Sequence, residues 1–332
     1  MKKPVVALIG ASHWHVPLYI NGIKQLGLKV CGVHDADITV ARALAEDLKS
    51  IPFDNVDKLI ETKPDFVFAF ETHRQMPYLA KKLIDHQIAF AIEKPVGLNY
   101  AQVIELADLA RDKGVFCSIP LVWRYSEAVA SLKSRICPEQ YEHIAFRFVA
   151  GPPERYLHNG SPWMLDASEA GGGCMTNLGV HLLDLALELT QSDDLKVLSA
   201  IHKYSHKFSI EDYSTALLAT ENGTSVVLET GYAFPMDNLH KRENTWTLVT
   251  GEGYYSLTDG QLALRNVNNN AETISLTTDS DDLYPVFVRE TLREWAEGRP
   301  PLIDLYHMAR VRNILDKINE NAAAHNYGGK NH

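Results

Sequence analysis

The sequence predicts an α/β chain in two parts. Residues 1–120 read as a doubly wound parallel sheet, and residues 121–325 as an α+β unit whose mostly antiparallel sheet carries helices on one face. Three observations predict this. Short apolar strands alternate with amphipathic helices as far as Ile119, the pattern of strand–helix–strand crossovers. From Glu142 onward strand follows strand, punctuated by turns such as Glu221-Asn222-Gly223-Thr224 and Asp259-Gly260. Finally, 332 residues, 45% of them hydrophobic, exceed one typical domain and supply core for two sheets.

In the first part, strand Pro4–Ile9 runs into a loop, Gly10-Ala11-Ser12-His13-Trp14-His15, and then a helix, Val16–Leu26, with Pro17 at a tolerated early position. Strand Lys29–Val33 ends at His34-Asp35, before a helix over Ile38–Leu48. Strands Asp65–Phe70, Ile88–Ile92 and Val115–Ile119 follow, separated by helices near Asn55–Glu61, Arg74–His86 and Tyr100–Arg111. A glycine-bearing loop after the first strand, with an acidic residue about twenty positions on, is the arrangement of a dinucleotide-binding Rossmann sheet. It marks Gly10, Ser12, His13 and Asp35 as cofactor-binding candidates. A carboxylate at Asp35 accepts the ribose hydroxyls and repels a 2′-phosphate, so the expected cofactor is NAD rather than NADP. The Gly-x-Gly-x-x-Gly fingerprint survives only at its first glycine, because Ser12 and His15 occupy the other two positions. His13 and His15 have a spacing seen in metal sites, but no third ligand lies nearby, so they read as loop or packing residues and no metal is expected.

The second part offers strands at Ile144–Ala150, Val197–His202, Tyr213–Thr220, Ser225–Tyr232, Thr245–Thr250, Tyr254–Leu257 and Ala263–Val267. Helices Leu283–Glu297 and Leu305–Ala323 close the chain, and the polar tail from His325 reads as disordered. Apolar residues fall on both faces of Ser214–Thr220 and Val226–Tyr232, more than one helical layer covers.

Composition bounds the partners. Asp and Glu total 42 against 32 Lys and Arg, with no basic run, which argues against nucleic acid or an anionic membrane and leaves a small molecule. Four widely spaced cysteines, Cys31, Cys117, Cys137 and Cys174, suit a reduced, cytoplasmic protein. The apolar run after Lys3 is too short for a signal peptide or a membrane span.

Two stretches carry chemistry. Gly171-Gly172-Gly173 precede a helix beginning near Met175, in which Leu178, Leu182, Leu185 and Leu189 recur at helical spacing while Asn177, His181 and Asp184 share one face. His181 is then either a core histidine satisfied by Asp184 or a reactive one. The other stretch is Glu93-Lys94-Pro95, where an apolar strand ends in a charged pair at the edge where open parallel sheets bind ligands.

Together these stretches resemble the glucose-fructose oxidoreductase, inositol dehydrogenase and MocA family, known for Glu-Lys-Pro after the fifth strand and Gly-Gly…Asp-x-Gly-x-His-x-x-Asp in the second domain. Asn177 stands where most of that family has aspartate. The resemblance implies hydride transfer between nicotinamide and a sugar, cyclitol or sugar acid. His181 would act as base, Lys94 would stabilise the alkoxide, and Asn177 would stand beside them. It adds Thr72, Glu93, Lys94 and Pro95 to the cofactor side, and Arg124, Tyr125 and Trp163 to Asn177 and His181 on the substrate side. Arg124 could hold a substrate oxygen or pair with an acid at the domain junction. An aspartate at 177 is expected to raise the pKa of His181, and the neutral amide to leave it low. The resemblance also implies a last helix packed toward the first part and a homodimer or homotetramer formed through the second sheet. A cofactor-binding regulator without turnover and an NAD-dependent glycosidase are the alternative readings.

Overall fold

The computed structural model describes residues 3–235, 241–268, 271–277 and 279–324; the tail from His325, expected to be disordered, lies outside the described residues. The first sheet is parallel and consists of β1 (Val5–Ile9), β2 (Lys29–His34), β3 (Ile51–Phe53), β4 (Phe66–Ala69), β5 (Ala89–Ile92) and β6 (Cys117–Ser118), in the order β3-β2-β1-β4-β5-β6. Helices α1 (Val16–Gln25), α2 (Ile38–Asp47), α3 (Val56–Ile60), α4 (Met76–Asp85) and α5 (Tyr100–Lys113) connect the strands. Strand β4 is wholly buried and β1 nearly so, as a sheet covered on both faces requires. Side chains of Asp37, Asn55 and Asn99 cap α2, α3 and α5 by accepting backbone N–H groups left free at the helix starts. The strand order reverses beside β1, so the carboxyl ends of β1 and β4 flank a crevice. Strand β6 is shorter than the sequence predicts, because the Ile119 amide donates to the Ile303 carbonyl instead of extending the sheet. Strand β3 was not legible: it is a three-residue edge strand with Pro52 inside it, a residue an edge tolerates.

Short helices α6 (Glu127–Lys133), α7 (Arg155–His158) and α8 (Ala167–Ala170) and the long α9 (Val180–Thr190) belong to the second part. Its sheet comprises β7 (Tyr141–Ala150), β8 (Lys196–Lys203), β9 (Tyr213–Ala219), β10 (Ser225–Gly231), β11 (Arg242–Thr250), β12 (Gly253–Thr258), β13 (Gln261–Asn266) and β14 (Ala271–Ser275), in the order β14-β13-β12-β11-β7-β10-β9-β8. All neighbours are antiparallel except β7 and β10. Ile144, Phe146, Phe148, Leu228, Trp246 and Leu248 point inward to the helices. Ile201, Leu217, Val227 and Val249 alternate to the other face, where Arg147 sits between Glu229 and Glu243.

Two closing helices return to the first part. Helix α10 (Ser280–Ala296) lies on α1, and α11 (Leu305–Ala324) lies along α5, where the Tyr306 hydroxyl donates to Asp108 at 2.7 Å. Among the described residues, no helix is long and apolar enough to cross a membrane.

Candidate active site

Lys94 stands at the carboxyl end of buried strand β5 and is itself 3% exposed. Its Nζ donates to the Asn177 carbonyl at 2.8 Å and to Asn177 Oδ1. The amide nitrogen of Asn177 donates to the Tyr156 hydroxyl at 2.8 Å, which also accepts from Arg155 Nη2 at 2.8 Å and donates to Tyr232 at 3.4 Å. An amide is suited to this place, since it offers an acceptor to the ammonium and a donor to the phenol at once.

The glycine stretch fixes where this residue comes from. A Cβ on Gly173 would fall 1.9 Å from the Glu211 carbonyl oxygen, so only glycine lets the two backbones meet. The Glu211 carboxylate accepts from the Gly173 and Met175 amides at 2.6 and 3.0 Å, which anchors the segment leading to Asn177. The helix does not begin near Met175 in α form. Met175–Gly179 is a wide π turn and α9 starts at Val180, so Asn177 and His181 are not neighbours on one α-helical face.

His181 leans on Trp123, with ring centres 5.5 Å apart, and among the described residues its Nδ1 has no partner. The core-histidine reading, in which Asp184 satisfies it, is therefore wrong. Asp184 instead takes Arg124 in a bidentate pair, Nε to Oδ2 at 2.9 Å and Nη2 to Oδ1 at 2.6 Å, and Glu188 takes Nη1 at 2.8 Å. With every nitrogen committed to a carboxylate, Arg124 is a junction residue rather than a substrate one. Tyr125 is also out of the cleft, packed on Phe287, and Trp163 stacks edge-on against His73 beside His13.

Lys94, Asn177 and His181 line one cleft of about 550 Å³ between the two sheets. Trp14, His15 and Tyr284 close it from the first part and α10, and Phe148, Arg155 and Arg242 from the second. Burial, reinforced by the Arg155 charge, pulls Lys94 down to about 8. Burial and the nearby Lys94 and His15 hold His181 well below the usual histidine range. At neutral pH the cleft thus presents an ammonium beside a neutral imidazole.

His15, expected as a loop or packing residue, lines the cleft. It bonds through Nδ1 to Glu93 at 2.9 Å, and Tyr19 donates to the other Glu93 oxygen at 2.7 Å. Glu93 is fully buried, is not among the residues lining the cleft, and holds His15 and Tyr19. The signal was present in the sequence: a histidine where a glycine is usual needs a partner.

The other residues expected on the cofactor side lie in the loop after β1 and just beyond the ends of β2, β4 and β5. Gly10 has φ +87°, and a Cβ there would lie 2.1 Å from the Phe70 carbonyl oxygen, so the loop passes where a side chain could not. His13 Nδ1 accepts the His15 amide at 3.2 Å, which places the proton on Nε2, and that buried donor has no partner among the described residues. Asp35 holds the loop by accepting from the Ser12 amide at 2.6 Å, at the end of β2. Thr72 contacts Glu169 at 3.4 Å, and Pro95 is buried away from the cleft. Among the described residues, no group of three or more His, Cys, Asp or Glu side chains is placed to hold a metal.

Residues 5–120 match the family model described as oxidoreductase family, NAD-binding Rossmann fold, and residues 141–256 match that of the GFO/IDH/MocA C-terminal domain. Glucose-6-phosphate 3-dehydrogenase of Bacillus subtilis (strain 168) is 27% identical over 198 residues, 58% of this chain and 55% of that protein. The chain thus aligns with about half the length of this curated relative. An oxidoreductase from Agrobacterium radiobacter, solved with NAD+, L-tartaric acid and magnesium, superposes with a TM-score of 0.85 at 15% identity, covering 97% of each chain. UDP-N-acetylglucosamine 3-dehydrogenase from Acidithiobacillus ferrooxidans gives 0.81 at 18% identity, covering 98% of this chain and 99% of that one. At such identities these two structures establish the fold.

Proposed function

The chain belongs to the Gfo/Idh/MocA family of NAD-binding oxidoreductases, and from that premise we propose that it oxidises a hydroxyl-bearing carbon of a sugar-like substrate, or reduces the corresponding ketone. One observation carries this reading: an ammonium, Lys94, and a neutral imidazole, His181, whose Nδ1 has no partner among the described residues, line one cleft at the carboxyl edge of the first sheet.

Gly10, Ser12, His13 and Asp35 would hold the dinucleotide, which supplies the hydride acceptor. His181 takes the hydroxyl proton, for which a neutral imidazole has a free lone pair. Lys94 faces the oxygen as negative charge grows on it, in a site where burial strengthens the attraction. Asn177 and Tyr156 fix the direction of Nζ. Incubating the protein with NAD and a panel of sugars, cyclitols and sugar acids tests the reading by absorbance of NADH; no reduction with any class, despite NAD binding, would contradict it.

The pH dependence follows from Lys94. Its charged form is lost as pH rises through about 8, so kcat/KM for alcohol oxidation is expected to fall above that pH. Because Asn177 faces Lys94 and not His181, an aspartate there acts on the lysine, contrary to the sequence expectation. In Asn177→Asp the carboxylate favours the ammonium, and the alkaline limb should move up by roughly one pH unit or more. Identical pH profiles for the two proteins would refute this coupling.

Asp35 and the adjacent Glu71 put two carboxylates near the end of β2, unfavourable for a 2′-phosphate. NAD should bind at least about tenfold more tightly than NADP in a fluorescence titration, and equal affinity would count against Asp35 as the selector.

We also propose a homo-oligomer formed through the outer face of the second sheet, where Ile201 and Leu217 are exposed beside the Arg147 ion pairs. Light scattering at micromolar concentration should give at least twice the chain mass, and a monomer would dismiss the interface. Four free cysteines suit a reducing, cytoplasmic setting.

A further inference from the structure

Arg155 is a cation of the cleft, beside Lys241 and Arg242, that the reaction does not use. Its guanidinium lies 4.7 Å from the ring centre of Tyr156 and 4.8 Å from that of Tyr232, donates Nη1 to the Gly151 carbonyl and donates Nη2 to the Tyr156 hydroxyl. Four groups therefore hold its plane in one orientation before any ligand arrives. Among the described residues its hydrogen-bond acceptors are that carbonyl and that hydroxyl, and no carboxylate, Glu154 of the same cleft included, forms an ion pair with it. The other arginine of the cleft is balanced, with Arg242 facing Asp281 at 2.6 Å and Asp279 at 3.4 Å.

Arg155 is also near enough to Lys94 to oppose its protonation. A neutral sugar would leave Arg155 without a carboxylate partner and still opposing Lys94, whereas an anion on Arg155 offsets that charge.

We propose that the substrate carries a carboxylate close to the reacting carbon and that Arg155 binds it; the inference rests on the oxidoreductase reading above. A guanidinium has five N–H donors in a planar fork, and the two used here leave others for the two oxygens of a carboxylate. Position selects a near group over a remote phosphate. Arg155 joins Tyr156, Tyr156 joins Asn177 and Asn177 joins Lys94, so an anion on the fork is only a few bonds from the oxygen that Lys94 meets. The substrate class is a sugar acid or related hydroxy acid. The carboxylate is unchanged by the reaction: the carbon–hydrogen pair leaves as hydride to the nicotinamide, the hydroxyl proton goes to His181, and a ketone remains.

Matched ligands on the NADH-saturated protein test this by titration and thermal shift: glucuronate against glucose, gluconate against sorbitol, and glucose 6-phosphate as the remote dianion. Each acid is expected to bind at least tenfold more tightly than its neutral partner, with a smaller gain for the phosphate. Arg155→Met should abolish the preference, and Arg155→Lys, which keeps the charge and loses the fork, should retain part of it; NADH affinity serves as the folding control. Neutral ligands binding as well as the acids, a phosphate gain equal to the carboxylate gain, or equal weakening of both members of a pair in Arg155→Met would each overturn the proposal. A wild type that reduces NAD with neutral sugars while ignoring acids refutes the carboxylate alone; failure to bind nicotinamide at all refutes the oxidoreductase reading.

Discussion

Replacing His181 by alanine is expected to lower kcat/KM for alcohol oxidation roughly a hundredfold or more, the range lost when a positioned general base is removed. The imidazole is buried, neutral and, among the described residues, without a hydrogen-bond partner at Nδ1, so its removal breaks no described network and should leave the fold and NAD affinity close to wild type. That separation is diagnostic. Steady-state kinetics alongside a cofactor titration checks it: a large loss in rate with unchanged cofactor affinity supports the assignment, and near-normal turnover removes His181 from the chemistry.

Lys94→Met should cost about a hundredfold to a thousandfold in kcat, the scale reported for deleting one preorganised group that faces developing negative charge. The alkaline limb near pH 8 should vanish with it, since the group that titrates is gone. Some stability is also lost, because the Asn177 carbonyl and side-chain oxygen both give up their donor in a buried place, a cost of about 1–3 kcal/mol. Rate and pH profile therefore have to be read together: a slow variant that keeps the limb would mean another group titrates.

The first sheet was legible because its strands are continuous apolar runs and its helices carry clear periodicity, with Asp37, Asn55 and Asn99 marking their starts. The meeting of Lys94 with the Gly171–His181 stretch was legible only by resemblance, since nothing in spacing brings residues 83 positions apart into contact. Arg124 and Asp184 show the limit of face arguments. The sequence placed Asp184 on the His181 face, but an arginine from the domain junction offered a bidentate partner that a histidine cannot match. Glu93 entered on the cofactor side by resemblance alone; its side chain turns inward to His15 and Tyr19, partners that no spacing in the sequence announces. The π turn at Met175–Gly179 could not be read at all, since the segment entering it is anchored by the Glu211 carboxylate, from the distant connection between β8 and β9. Arg155 and Tyr156 were silent in sequence. Their importance comes from the hydrogen-bond chain to Asn177, which only the fold closes.

In the proposed reaction Lys94 and His181 flank the carbon from which a hydride leaves. The most direct measurement is single-turnover formation of NADH by protein saturated with NAD and the best ligand of the panel, using substrate deuterated at the oxidised carbon. A primary isotope effect on the NADH burst is expected in the wild-type protein, with the burst slowed at least about a hundredfold in both Lys94→Met and His181→Ala while NAD still binds. A burst of wild-type speed in both variants would contradict it.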